Sequence, residues 1–312
     1  MRAIRRILVA VSELKLSSQA PLELAARIAR GCGAELELFH SLSTPLYADT
    51  VVGNNRSLAA YGREAQARAM ARLERLAARV RSDDLQVSVH AEWDYPPFEA
   101  IVRRALATDT GLIVAARRGH HRFRAVMGYT DWELLRASPI PVLLTRGRRR
   151  SARHKVLAAV DPRHANAKPA GLDRQILGLA GTVAAALGAP VQLLHVMEPW
   201  LPATPLRDLR PEARAALADL SESCGLGSTR NHLLTGSAAV EIPRAARRLR
   251  ASLLVMGDMS RRGLQRWFIG DTAERIVDEL RCDVLIVKPA RFSSRIARRR
   301  RGMYVLANPP MA

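Results

Sequence analysis

The sequence predicts an α/β protein made of two tandem doubly wound domains, each with a five-stranded parallel sheet flanked by helices. Three observations carry this. Short apolar runs alternate with amphipathic helical patterns along the whole chain, which is the signature of βαβ units and a parallel sheet. The pattern is duplicated: Arg5-Arg6-Ile7-Leu8-Val9-Ala10-Val11 returns as His154-Lys155-Val156-Leu157-Ala158-Ala159-Val160 at an offset of 149, and Leu112-Ile113-Val114 returns as Leu254-Val255-Met256 at 142. The length, 312 residues, suits two domains of ordinary size.

In the first copy the apolar runs place strands near 6–11, 35–40, 85–90, 111–115 and 141–145, and the helical patterns fall near 18–31, 56–81, 97–107 and 130–137. Leu58, Tyr61, Ala65, Ala69, Leu73, Leu76 and Val80 recur at three- and four-residue steps, one apolar face of a helix. In the second copy strands are expected near 155–160, 191–196, 229–234, 252–257 and 283–288, with helices near 170–187, 211–223, 239–249 and 272–280. The repeat sets the boundaries: a first domain over 1–146, a basic linker over 147–154, a second domain over 155–290 and an Arg-rich, aperiodic tail over 291–312, read as disordered with local order at Met303 to Leu306. Right-handed crossovers and a reversal of strand order then open a crevice at the carboxyl ends of the strands, where a ligand is expected.

Composition narrows the function classes. No apolar run approaches the ~18 residues of a membrane span, and the run Ile7–Val11 is too short for a secretory h-region. Cys32, Cys224 and Cys282 are scattered and odd in number, which fits a reducing cytoplasm better than a disulfide framework. The net charge of +20 raises nucleic acid as a partner, but six cations lie in 146–155 and six more in 291–301, with no acid in either stretch. A solvated linker and tail explain that clustering; weak nucleic-acid binding through them is the rival reading.

Some residues could carry chemistry. Asp161 follows the first strand of the second copy, at the mouth of the expected crevice. Its carboxylate could accept hydrogen bonds from a ribose or an exocyclic amine, or it is simply the turn Asp before Pro162. The fourth strand of that copy runs into Gly257-Asp258-Met259-Ser260-Arg261-Arg262-Gly263 and on to Gly270-Asp271-Thr272-Ala273-Glu274. Glycines allow main-chain amides close to phosphate, and a helix starting near Thr272 presents its positive end there. Asp271 with Glu274 equally reads as a helix cap and its box partner. His120-His121 lacks a third ligand at metal spacing, so no metal site is assigned. There is no Walker A sequence, no HExxH and no identifiable catalytic base, so the chain reads as a binding protein, with at most slow ATP hydrolysis.

Two such domains with this loop resemble the universal stress protein family. Its ATP-binding members carry an Asp after strand one and a loop of Gly, two residues, Gly, nine residues, Gly, then Ser or Thr. Here Asp161, Gly257 and Gly270 match, Ser260 stands for the second Gly, Asp271 for the Ser/Thr, and Thr272 could supply the hydroxyl one position later. In the first copy Ser12, Ala115, Arg118, Gly128 and Tyr129 fill the corresponding positions, so that copy is read as having lost the nucleotide site. The segments Trp93–Ile101, Thr130–Arg136, Gly270–Glu274 and Asp278–Pro289 resemble the tandem E type of the family, over about residues 4–290. The resemblance implies a cytoplasmic stress-response protein binding an adenine nucleotide or another small anion in the second domain, with Mg²⁺ accompanying ATP. It also implies a pseudo-dimer of its own two domains through their last strands, open to further homo-oligomers. A nucleotide-independent scaffold for another anionic or amphipathic ligand, or for a protein partner, is the alternative.

Overall fold

The computed structural model describes residues 3–12, 19–43, 46–47, 58–117, 130–146, 154–163, 171–198, 206–226, 229–258, 271–294, 296–302 and 305–306. The chain forms two compact units, Ile4–Ser138 with Ser294–Ala312, and Pro139–Ser293 with Met1–Ala3.

In the amino-terminal unit the elements are β1 (Arg6–Ala10), α1 (Gln19–Cys32), β2 (Glu35–Leu42), β3 (Leu46–Tyr47), α2 (Leu58–Ala77), β4 (Val87–Trp93), α3 (Pro97–Ala107), β5 (Leu112–Ala116) and α4 (Thr130–Ala137). Strands β4, β2, β1 and β5 lie side by side in that order, all parallel. β1 and β5 are buried nearly throughout, as continuous apolar runs in a parallel sheet should be. Leu22, Ala25, Ala26, Ile28 and Ala29 put the small-residue face of α1 on the sheet, and Gly33 at φ +61° turns the chain out of that helix.

The carboxyl-terminal unit holds β6 (Val142–Thr145), β7 (Val156–Ala159), α5 (Leu172–Leu187), β8 (Val191–Met197), α6 (Leu206–Ser223), β9 (Arg230–Thr235), α7 (Ala238–Arg248), β10 (Leu253–Gly257), α8 (Asp271–Glu279) and β11 (Asp283–Val287). Five parallel strands run in the order β9, β8, β7, β10, β11. β6, the fifth strand of the first copy in sequence, pairs antiparallel with β11, Leu143 opposite Leu285. β11 would otherwise end its own parallel run as an edge of unpaired N–H and C=O groups, and the β6 ladder satisfies them. α6 begins at Leu206, before Pro211, so the proline sits inside the helix and not at its start. α5 buries Leu172, Ile176, Leu177, Leu179, Val183 and Leu187, and Gly188 at φ +61° caps its end.

The tail is placed on the amino-terminal unit. Its strand β12 (Val305–Leu306) pairs parallel with β3, and the Arg301 amide donates to the Asp94 carboxylate at 2.9 Å. Among the described residues, part of the aperiodic tail thus has defined contacts, including a strand within the stretch 303–306 where local order is expected.

Candidate functional site

The strand order reverses between β7 and β10: from β7 the sheet grows to β8 and β9 on one side, and to β10 and β11 on the other. Such a switch point leaves a crevice at the carboxyl ends of the strands because the two connections leave in opposite directions. Ala159 of β7 is opposite Met256 of β10, so Asp161 and Gly257 come off neighbouring strands at the same end. The sequence reading brought these two together correctly.

Asp161 is buried, 5% exposed. Its amide donates to Asp173 Oδ1 at 3.2 Å, and Asp173, also buried, lies in the first turn of α5. That turn favours negative charge, since its amides point toward the carboxylate. His195 of β8 is buried beside them. Its Nδ1 is 3.0 Å from the Val160 carbonyl and 3.9 Å from Asp161 Oδ1. A carbonyl only accepts, so the hydrogen bond to Val160 puts the proton on Nδ1. The strand-end loop that carries Asp161 is therefore fastened on both sides, by α5 and by β8.

The amino-terminal unit repeats the histidine device without the acid. His40 of β2 places Nδ1 2.7 Å from the Val11 carbonyl, and the next residue is the exposed Ser12. Burial pushes the His40 imidazole below its ordinary value; the Val11 hydrogen bond opposes this, and the Arg72 charge adds to it. The sequence reading passed over His195. The signal that could have found the pair is a histidine near the end of the second strand of both copies.

Gly257 has a structural cause of its own. A Cβ there would lie 2.8 Å from Leu172 Cδ2 and 3.1 Å from Ile176 Cδ1. The missing side chain faces α5, so close packing of helix on strand requires glycine here whether or not a phosphate is bound. The next residue, Asp258, is buried and ion-paired with Lys288 at the end of β11, and its amide donates to the Val287 carbonyl at 3.0 Å. Lys288 Nζ also lies 4.9 Å from the Phe292 ring centroid. This pair escaped the sequence reading, although both residues follow directly on adjacent strands.

Thr272 lies in the first turn of α8 and is partly exposed. Asp271 is the first residue of that helix; Ser260 and Gly270 lie outside the described residues, as do Arg118, His120, His121, Gly128 and Tyr129. Among the described residues no three His, Cys, Asp or Glu side chains converge as metal ligands. Cys282 is buried and the other two cysteines are half-buried, all as free thiols. No described helix is long and apolar enough to cross a membrane.

The universal stress protein family model matches residues 3–146 and again 152–288. Universal stress protein E of Escherichia coli strain K12 is 29% identical over 222 residues, which is 67% of this chain and 70% of that protein. A crystal structure of a functionally unknown protein from Pseudomonas aeruginosa PAO1 is similar with a TM-score of 0.70 at 28% identity, covering 92% of this chain and 94% of that one. A universal stress protein from Archaeoglobus fulgidus shares the fold, with a TM-score of 0.62 at 18% identity over 91% of this chain and 96% of its own.

Proposed function

The chain belongs to the universal stress protein family, with two tandem copies of its domain, and from that premise we propose that it is a cytoplasmic stress-response binding protein whose second domain takes an adenine nucleotide. The observation that carries the reading is the buried Asp161 carboxylate, fixed beside Asp173 and His195 at the switch point between β7 and β10. A preset acceptor of this kind suits a ribose hydroxyl or an exocyclic amine. Phosphate would be held by main-chain amides of the loop between Gly257 and Gly270 and by the Thr272 hydroxyl at the positive end of α8. Because the Cβ direction of Gly257 points at α5, that glycine is no argument for phosphate; the carboxylate is. Mg²⁺, when ATP is the ligand, would ride on the phosphates. The first domain, with Ser12 in place of the acid, is the structural partner, and the antiparallel ladder of β6 and β11 supports a pseudo-dimer built through the last strands of the two copies.

The test is isothermal titration of the full chain with ATP and Mg²⁺, comparing wild type with Asp161→Asn. One site per chain is expected, weakened about 10- to 100-fold by Asp161→Asn, the worth of hydrogen bonds to a charged acceptor. Nucleotide binding that is unchanged in Asp161→Asn overturns the assignment. Absence of binding in the wild type turns the reading to the scaffold, with another anionic ligand, a reading that Asp271 at the phosphate end favours. Nucleic-acid binding through the linker and tail is the remaining rival; two of the tail arginines, Arg300 and Arg301, pair within the chain.

A further inference from the structure

The most elaborate ionic network of the amino-terminal unit lies where β4 ends and α3 begins. Asp94 is fully buried and clamped by Arg103, Nε to Oδ2 at 2.8 Å and Nη2 to Oδ1 at 3.0 Å. Arg103 Nη1 reaches Glu99 Oε2 at 2.8 Å. The guanidinium fork holds both carboxylates in fixed orientation, and each keeps accepting capacity toward a third party.

That third party is the tail. The Arg301 amide donates to Asp94 Oδ1 at 2.9 Å, and its side chain reaches Glu99 Oε1 at 3.2 Å. Arg300 Nη1 lies 2.8 Å from Glu92 Oε2, and Arg103 Nη1 donates back to the Ala297 carbonyl at 3.2 Å. Main chain and side chains are read together, at two consecutive arginines. A few residues on, β12 pairs with β3, which follows β2 at the carboxyl end of this unit's sheet. Arg298 and Arg299 are exposed as well.

We propose that Glu92, Asp94, Glu99 and Arg103 form a recognition notch for a di-arginine segment, which residues 296–302 of the same chain occupy as a releasable strap. The balance of contacts sets its character. The notch is rigid and built in advance by buried charges. The strap side chains remain largely exposed, 60% for Arg300 and 58% for Arg301. Their ion pairs are of the weak, salt-screened kind. The strap therefore docks in one register yet opens at modest cost, and it braces β3 when closed.

Hydrogen exchange of the full chain, followed by mass spectrometry over residues 296–306, tests this. Arg300→Glu sets a like charge against Glu92 and is expected to speed exchange about fivefold, the scale of one exposed ion pair. Arg299→Glu makes the same charge change and is expected to leave exchange unaltered. Adding Glu92→Lys to Arg300→Glu restores the pair with its signs reversed, and protection with it. Melting curves of each variant show whether the unit itself has been disturbed. Equal effects of Arg299→Glu and Arg300→Glu, failure of the reversed pair to rescue, or a segment as unprotected as free peptide in the wild type would each overturn the proposal. Protection that rises with protein concentration would assign the strap to a second copy and overturn the intramolecular docking.

Discussion

Replacing Arg103 by leucine probes the structural debt of the notch. The Arg103 side chain is 6% exposed and that of Asp94 is 0% exposed, so neither ion can turn to water when its partner is lost. Burial alone would lower the guanidinium's proton affinity; the hydrogen bonds it donates to Asp94 and Glu99, with the charges of those carboxylates, more than reverse this and keep it charged. Arg103→Leu keeps the volume apolar but strands the Asp94 carboxylate, whose remaining donors are the amides of Tyr95 and Arg301. Breaking one side of a buried pair costs about 3–5 kcal/mol. The chain has two compact units, so the loss is read by calorimetry as a lowered transition of the amino-terminal unit rather than as one global free energy. Asp94→Asn added to Arg103→Leu removes the stranded charge while keeping an acceptor for the two amides, and should recover about half the loss. A single-variant loss below about 1 kcal/mol would mean the pair behaves as a surface bridge, and the argument from burial would fail.

Two further outcomes follow from the same geometry. Gly257→Ala forces its Cβ against Leu172 and should lower the transition of the carboxyl-terminal unit by about 1–3 kcal/mol, the usual cost of overpacking; adding Leu172→Ala should make the alanine tolerable relative to Leu172→Ala alone. Both His40, for the reasons given, and His232, through burial first and then the charges of Arg248 and Arg230, have imidazoles held below the ordinary 6.5. The folded protein thus binds fewer protons than the unfolded chain, so their contribution is complete above about pH 6.5 and is lost as pH falls below it, through the lower folded-state values. Melting temperature measured from about pH 8 to pH 5 should drop at the acid end, less steeply in His40→Gln.

The sheet and most helices were legible because a buried parallel strand needs a continuous apolar run and a covering helix needs a 3.6-residue stripe, and both patterns are written locally. The misjudged ends show what local pattern lacks. Val80 fits the stripe of α2, yet the helix stops at Ala77, and Val80 is buried from a turn that follows it. Pro211 looks like a helix start, but five earlier residues are helical. At the candidate site, Asp161 was found because a carboxylate directly after a first strand has a fixed location in this topology. The Asp258–Lys288 pair was missed because each residue is ordinary alone. The strap was invisible for a deeper reason: Arg301 and Asp94 are 207 positions apart, and nothing periodic marks either one.

The two copies differ at the residues that carry both proposals, and at Gly236 backbone geometry opposes reversing the difference. At the repeat offset of 142, Asp94 corresponds to Gly236 and Arg103 to Ala245, so the second copy has no notch. Gly236 sits at φ +142°, where side chains are strained, and a Cβ there would lie 3.0 Å from Glu241 Cγ. An aspartate there would meet the positive-φ strain and require the Glu241 side chain, in the first turn of α7, to shift. Conversely, Ser12 in the first copy leaves the His40 device intact but without an acid beside it, whereas Asp161 has both His195 and Asp173. The same strand-end anchor thus supports a ligand-type carboxylate in one unit alone, while the other unit spends its buried acids on a segment of its own chain. On the proposed readings, ionic strength and competing charge act on the strap of the first unit, and ligand concentration acts on the second.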